Sequence, residues 1–210
     1  MANLTDLTSK EFLTELASAA PAPGGGGGAA MAGALAAALS SMVCNLTLGK
    51  EKFAAQEAEV QSVLVKAERA REHLLKLVQE DAAVFNSFMS CYKLPKSTDE
   101  EKAVRTAAIR AAAKKAAEVP LAIARESFAV LELADELVVC GNPGVITDGA
   151  CSGLLARAAL RCAEYNVRIN LGLTKDAEWN AQVQAELEAM LTQAEALEAK
   201  LLAVTDKALA

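Results

Sequence analysis

The segment PAPGGGGGAAMAGALAAALSSMVCNLTLGK, residues 21–50, is the strongest indication of the architecture of this chain. It opens with two prolines and five consecutive glycines, and it then carries no charged residue from Gly28 to Leu48. A helix that is apolar on every side belongs at the centre of a helical protein. Its small alanines and glycines allow neighbouring helices to approach closely. The stretch therefore predicts a buried central helix.

The same segment raises the question of a membrane helix, because about 21 uncharged residues can span a bilayer. Alanine contributes little to insertion, and the sequence shows neither an aromatic belt nor a second apolar span. We therefore expect no membrane association. The first 23 residues also lack the basic start of a signal peptide, so a cytoplasmic location is expected. The polar residues that interrupt the segment are Ser40, Ser41, Asn45 and Thr47.

Periodicity and capping patterns predict five further helices outward from this segment. Thr8 and Glu11 form a capping box for a short first helix that should stop at Pro21. No segment has a convincing β period, so the sequence predicts an all-α protein, one domain over residues 1–210 with about six helices. The other helices are predicted from Lys52 to Tyr92, from Ser97 or Thr98 across a kink at Pro120 to a turn at 140–144, from Thr147 or Asp148 to about Ile169, and from Asp176 to near Lys207.

Composition and charge narrow the functional classes. Apolar residues make up 53% of the 210 residues and aromatic ones only 4%, which favours closely packed helices over a β-sandwich. The net charge of −6 argues against a nucleic-acid binder. Residues 91–125 are an exception, with eight basic against four acidic side chains. This basic helix either attracts an anionic ligand or forms an ordinary solvated face.

Histidine and cysteine chemistry has little support in this sequence. His73 is the single histidine, and its charged and leucine neighbours are typical of a helix surface. The five cysteines form no CxxC pair, so neither a metal site nor a disulfide framework is expected. Carboxylates and lysines are therefore the candidates for acid–base catalysis.

Asp81 is the most informative single residue. It lies on the apolar stripe of the third predicted helix, three residues after Val78 and four before Phe85. A carboxylate that faces a core is costly unless it is paired or borders a cavity. The position is consistent with acid–base chemistry and equally with an ion pair to a neighbouring helix.

Other polar positions surround the central helix. Residues 24–28 open it, and the free N–H groups of a helix start can hold an anion or a carbonyl oxygen, although a flexible loop is the alternative. Lys50 follows the helix end and can bring a cation to the rim of the core. Asn142 in a turn and Asp148 at a helix start also have adequate structural roles. Polar residues within apolar segments suggest a polar-lined cleft: Asn45, Asn166 and Asn170.

A series of short motifs extends over nearly the whole chain. The motifs are Pro21-Ala-Pro-Gly-Gly-Gly, Ser41-Met42-Val43, Asn45-Leu46-Thr47, Gly49-Lys50, Glu80-Asp81 with Phe85, Leu94-Pro95-Lys96, Val119-Pro120-Leu121, Gly141-Asn142, Thr147-Asp148, Asn166-Val167 and Ile169-Asn170. Together and in this order they resemble the cyclodeaminase/cyclohydrolase family of folate enzymes. Gly27 departs from the family pattern, which commonly has a serine after three glycines. If that hydroxyl bonds the ligand in relatives, backbone or water must replace its contact here.

The resemblance implies an all-helical homodimer with folate bound in a cleft that involves the dimer. Two activities occur in the family. One hydrolyses 5,10-methenyltetrahydrofolate to 10-formyltetrahydrofolate, and the other closes 5-formiminotetrahydrofolate to the methenyl compound with release of ammonia. Because no transferase accompanies these 210 residues, we expect the stand-alone cyclohydrolase. No cofactor is expected, since the tetrahydrofolate derivative is itself the substrate.

The resemblance also implies roles for particular residues. Hydrolysis of the cationic methenyl bridge needs a carboxylate to accept the proton of water and an acid for the leaving nitrogen. We assign these roles to Asp81 and Lys50, with Asp148 as the alternative base. Asn142 would orient the water or the pterin amide. The remaining predicted binding residues are Gly24, Gly25, Gly26, Gly27 and Asn45, with Lys93, Lys96 and Arg105 for the glutamate tail.

A non-catalytic helical interaction module is the alternative from another class. It would account for the long amphipathic helices and the basic face. It would not account for Asp81 on an apolar stripe or for the glycine run that enters a buried helix. A nucleic-acid binder is a weaker third alternative because of the negative net charge.

Overall fold

A computed structural model describes residues 3–210 of the chain. Within these residues the chain forms six α-helices and no β-strand, so the predicted all-α class and helix number are confirmed. Short 3-10 helices cover Leu4–Asp6, Glu51–Gln56 and Pro143–Val145. The α-helices are α1 (Ser9–Leu16), α2 (Gly25–Asn45), α3 (Glu57–Cys91), α4 (Asp99–Cys140), α5 (Ile146–Thr174) and α6 (Ala177–Leu209).

Three predicted helix starts are confirmed by their caps. Thr8 and Thr98 each form a complete capping box with the glutamate three residues later, at the starts of α1 and α4. The Asp176 side chain accepts a hydrogen bond from the Trp179 N–H at the start of α6. These side chains satisfy backbone donors that the first turn of a helix leaves free.

The predicted start of α5 is wrong. Neither Thr147 nor Asp148 caps this helix, which begins at Ile146 directly after a 3-10 turn. The turn is capped by Asn142, whose side chain accepts a hydrogen bond from the Gly144 N–H. Helical geometry therefore begins before either predicted cap.

Other predicted boundaries also shift. α1 ends at Leu16 rather than at Pro21, and α3 begins at Glu57 because the preceding six residues form a 3-10 helix. α5 runs beyond Ile169 to Thr174. α4 continues as one helix of 42 residues through Pro120. The kink that the sequence predicts at this proline stays a prediction.

α2 lies at the centre of the bundle, where it packs against α3, α4 and α5. Gly33 allows close packing, because a Cβ there would lie 3.0 Å from the Ser127 hydroxyl and 3.2 Å from Leu74. The polar groups of α2 are partly satisfied by α5. The hydroxyls of Ser40 and Ser152 are 2.8 Å apart, and Ser152 also donates to the Ala36 carbonyl.

The burial of α2 also bears on the membrane question. By length and composition, α2 is the one helix within residues 3–210 that could cross a membrane. However, 61% of its apolar window is buried inside the protein. This burial is typical of the core helix of a bundle.

Candidate functional site

A cleft of about 220 Å³ opens where the N-terminus of α2 meets the sides of α3, α4 and α5. Most of its lining is apolar, and few polar groups project into it, as is typical of small-molecule sites. Pro21, Ala22 and Gly24 to Gly26 line it at the start of α2. The helices contribute Asp81, Val84, Phe85 and Phe88 from α3, Ala116, Val119 and Pro120 from α4, and Asn166, Ile169, Asn170 and Leu173 from α5.

Asp81 caps α2 from the neighbouring helix α3. The N-cap residue of α2 is Gly24, which has no side chain to accept a hydrogen bond. The Gly27 N–H donates to the Asp81 carboxylate instead. A Cβ on Gly26 would lie 2.6 Å from the Asp81 carboxyl carbon, so the carboxylate can occupy this place only because residue 26 is glycine.

The electrostatic surroundings of Asp81 are unusual for a carboxylate. Burial raises the pKa of its carboxyl above the ordinary value, and the hydrogen bond from Gly27 opposes that rise. Within residues 3–210 no basic side chain forms an ion pair with it. The alternative of an interhelical ion pair is therefore not found among these residues, and a half-buried carboxylate without an ionic partner borders the cleft. Such a group is a candidate for acid–base chemistry.

Two asparagines of α5 face Asp81 across the start of α2. Asn166 lies against Gly25, where a Cβ would be 3.4 Å from its amide nitrogen. Asn170 lies one turn further along α5 and donates to the Ala116 carbonyl of α4 at 3.0 Å. The predicted polar-lined cleft thus includes both residues, and the first turn of α2 is held between Asp81 and Asn166.

Four other predicted site residues lie at the opposite end of α2. Asn45 ends the helix, Lys50 is exposed just beyond it, and Asn142 and Asp148 lie in the α4–α5 turn and the first turn of α5. The 21 residues of α2 separate its two ends by about 30 Å. Within one chain, the structure therefore does not bring Lys50, Asp148, Asn45 or Asn142 to Asp81. Their catalytic and binding roles stay predictions.

Asn142 already has a full structural role at that end. Its backbone N–H donates to the Thr47 hydroxyl at 2.9 Å, and its side-chain amide donates to the Leu46 carbonyl at 3.0 Å. Its side-chain oxygen accepts from Gly144. The side chain fastens the α4–α5 turn to the end of α2.

The cations predicted for the glutamate tail do not line the cleft. Lys93 and Lys96 are exposed in the turn after α3. The Arg105 guanidinium donates to the Tyr92 carbonyl and lies 5.3 Å from the centre of the Tyr92 ring. All three residues are absent from the cleft wall.

The sequence prediction missed Lys115, which borders a second hollow that shares Val84 and Phe88 with the cleft. Within residues 3–210 Lys115 forms no ion pair, whereas the adjacent Lys114 is paired with Asp176 at 2.9 Å. The basic composition of residues 91–125 was the signal for an anion site there, but it did not distinguish one lysine from another.

The remaining reactive residue types lie outside the cleft. The His73 ring nitrogen is 2.8 Å from a Glu126 oxygen, and the side chain is 45% exposed, as predicted for a helix surface. All five cysteines are free. Within the described part of the chain, no group of three or more His, Cys, Asp and Glu side chains is placed to hold a metal ion.

Fold and cleft together define an all-α protein with a ligand-sized pocket built around one half-buried carboxylate at a helix N-terminus. A sequence profile described as formiminotransferase-cyclodeaminase matches residues 8–189. The chain belongs to this family, as the motifs indicated.

Individual relatives are similar over most of the chain. A methenyltetrahydrofolate cyclohydrolase of Methylorubrum extorquens is 45% identical over 190 residues, which cover 90% of this chain and 91% of that protein. A formimidoyltransferase-cyclodeaminase of Sus scrofa is 33% identical over 185 residues, and the match spans 34% of its length. The crystal structure of formiminotetrahydrofolate cyclodeaminase from Thermotoga maritima superimposes with a TM-score of 0.88 at 28% identity, covering 99% of this chain and 100% of that one.

Proposed function

We propose that this protein is an enzyme that hydrolyses 5,10-methenyltetrahydrofolate to 10-formyltetrahydrofolate. The observation that carries the proposal is the Asp81 carboxylate, which lies half-buried and without an ionic partner at the glycine start of α2 and lines the cleft. The relative that is similar over nine-tenths of the chain is named for this activity. Because hydrolysis changes no oxidation state, the reaction requires no redox cofactor.

Asp81 would act as the proton acceptor. Water adds to the methenyl carbon, and its proton passes to the carboxylate. The hydroxyl proton of the adduct is then lost as the bond from carbon to N5 breaks and N5 takes up a proton, so that one proton is released overall. A raised pKa suits this cycle, because a base works best when its pKa lies near the operating pH.

The start of α2 would hold a ligand oxygen. The Gly27 N–H is bonded to Asp81, and the Gly28 N–H donates to the Gly24 carbonyl. The N–H groups of Gly25 and Gly26 precede the intrahelical ladder and have no such acceptor within the described residues. These two donors, at the positive end of the helix dipole, suit the carbonyl oxygen of a pterin ring.

The proposal is tested by following the loss of near-ultraviolet absorbance of methenyltetrahydrofolate at neutral pH. We expect the wild type to accelerate hydrolysis and Asp81→Asn to lower kcat by about 10²–10⁴-fold. Glu80→Gln is the matched control, because Glu80 is the adjacent but exposed carboxylate. Absence of acceleration by the wild type would refute the proposed activity.

Cyclodeaminase activity is the second candidate, and the Thermotoga maritima structure supports it. Ammonia release from 5-formiminotetrahydrofolate measures it directly. If ammonia is formed faster than methenyltetrahydrofolate is hydrolysed, the cyclodeaminase assignment replaces the first. Absence of folate binding by titration would favour a non-catalytic interaction module.

We also propose that the protein is a homodimer, with two copies packed through the exposed stripe of α2. This helix has no charged side chain, yet Leu35 is 55% and Met42 43% exposed. On the neighbouring α5, Tyr165 and Ile169 are 58% and 72% exposed, and Ile169 also lines the cleft. Apolar faces of this kind are typical of protein interfaces. Leu35→Glu should shift the mass measured by light scattering from dimer to monomer, whereas the exposed Val104→Glu on α4 should not.

The dimer would bring the distant predicted residues back to the cleft. A two-fold axis near the middle of α2 runs the two copies of the helix antiparallel, so that the Lys50 end of one chain lies at the Gly25 end of its partner. Mixing inactive Asp81→Asn with inactive Lys50→Ala chains tests this arrangement. About a quarter of wild-type activity should return if the two groups come from different chains. No recovery would contradict an arrangement in which the two groups come from different chains.

A further inference from the structure

The two asparagines of the cleft have amide orientations that the backbone fixes. Asn170 donates through its side-chain nitrogen to two carbonyls, Ala116 at 3.0 Å and Asn166 at 2.8 Å. Asn166 donates through its own side-chain nitrogen to the Cys162 carbonyl at 2.8 Å. Backbone carbonyls only accept hydrogen bonds, so the atom that faces them must be the NH₂ group in both side chains.

This orientation leaves two acceptors without partners at the cleft. Within residues 3–210 no donor reaches the side-chain oxygen of either Asn166 or Asn170, and both residues line the cleft. Both NH₂ hydrogens of Asn170 are already engaged, so Asn170 can bind a ligand there only by accepting. Together with Asp81, the polar side chains of this cleft present mainly acceptors.

An acceptor-lined wall selects a ligand that presents donors. The amino-oxo ring of a pterin carries an N–H group beside an amino group on one edge, and a 2,4-dioxo ring replaces that amino group by a carbonyl. Two hydrogen-bond acceptors held on α5 can each accept from a donor on the pterin edge. With the 2,4-dioxo ring, one of these acceptors would face a carbonyl oxygen instead. A desolvated acceptor left unpaired, or faced by another acceptor, lowers affinity.

We propose that Asn166 and Asn170 determine pterin specificity by accepting hydrogen bonds from the amino and ring N–H groups. This inference rests on the proposed function, because it assigns the binding edge of the same folate substrate. It adds two specificity-determining residues to the site and gives them a role separate from the proton transfer of Asp81.

The experiment compares 6-hydroxymethylpterin with its 2,4-dioxo analogue, 6-hydroxymethyllumazine, as competitive inhibitors of methenyltetrahydrofolate hydrolysis, and measures their direct binding by calorimetry. Wild type should bind the pterin at least about tenfold more tightly. Asn166→Leu and Asn170→Leu should each bring the affinity ratio towards one. Asn180→Leu is the matched control, because Asn180 also anchors its amide on a backbone carbonyl of α5 but lies outside the cleft. It should keep the wild-type ratio.

The outcomes separate this inference from the proposed function. A wild-type ratio near one overturns the assignment of the asparagines without any variant, and an unchanged ratio in both folded leucine variants does the same. Hydrolysis by the wild type would still support the proposed function in either case. Conversely, pterin preference that depends on Asn166 and Asn170 without any hydrolysis would support the inference and refute the activity.

Discussion

The two ends of α2 carry similar polar residues but use them in opposite ways. At the Asn45 end, Asn142 satisfies its donors and its acceptor on Leu46, Thr47 and Gly144. At the Gly25 end, Asp81 is desolvated without an ionic partner, and the asparagine oxygens have no donor within the described residues. Both ends are polar. The binding site differs from the structural contact because its polar groups lack hydrogen-bond partners within the protein.

The largest effect on activity is expected from Gly26→Ala, which changes the Gly25 end of α2 directly. The added Cβ would collide with the Asp81 carboxyl group, and the carboxylate must leave its place. We expect kcat for methenyltetrahydrofolate hydrolysis to fall by about 10²-fold or more, because the base is displaced. Gly28→Ala is the matched control, since its nearest contact would be 4.0 Å away. It should keep activity and raise the melting temperature, as alanine is the better helix former. Equal activity of the two variants would contradict the packing argument.

The Asn45 end is tested by Asn142→Ala. The substitution removes the side-chain bonds that fasten the turn to α2, and we expect a loss of about 1–2 kcal/mol in the free energy of unfolding. Chemical denaturation measures this loss. The kcat value of the residual folded protein should change little if Asn142 is a structural contact. A large fall in kcat at unchanged stability would instead support the predicted role in orienting water.

The pH dependence of stability sharpens the contrast at Asp81. Because burial raises its folded-state pKa, the folded protein holds this proton more tightly than the unfolded chain does. The resulting stabilisation is fully present below the unfolded pKa and is lost as the pH rises through the folded value. Asp81→Asn lacks this loss, so its free energy of unfolding relative to wild type should improve as the pH rises above the ordinary aspartate pKa, by about 1.4 kcal/mol for each unit of pKa shift. A pH-independent difference would mean that Asp81 does not titrate as inferred.

The smallest effect is expected from Lys115→Ala. If this unpaired lysine attracts the glutamate tail, KM for the folate substrate should rise about two- to fivefold, because exposed ion pairs contribute only about 0.2–1 kcal/mol. The kcat value should stay constant, and the KM effect should shrink at high salt. Lys93→Ala, in the turn away from the cleft, is the comparison. A larger KM effect at Lys93 would restore the tail site expected from the sequence.

Local patterns in the sequence predicted the fold well. The capping residues Thr8, Thr98 and Asp176 act within one turn of the chain, so their sequence context contains the whole interaction. The stripe position of Asp81 is equally local and pointed to the cleft. The family indicated by the motifs is confirmed by the profile match over residues 8–189.

The site was harder to predict because it depends on distant partners. Lys114 and Lys115 are neighbours in sequence, and only the placement of Asp176 beside Lys114 shows which of them is free. Asn142 and Asn166 are chemically alike, and their difference follows from which carbonyls the fold brings to them. The separation of Lys50 from Gly24 to Gly27 was within reach of the sequence, since one uninterrupted helix keeps its two ends apart.

The close contact between Gly26 and Asp81 means that substitutions at these two positions should be correlated in evolution. A larger residue at position 26 excludes a carboxylate at 81, and a carboxylate at 81 in this place requires glycine at 26. In any collection of relatives the pair should therefore change together or not at all. A lineage that replaced the glycine first would lose its base before a second substitution could compensate.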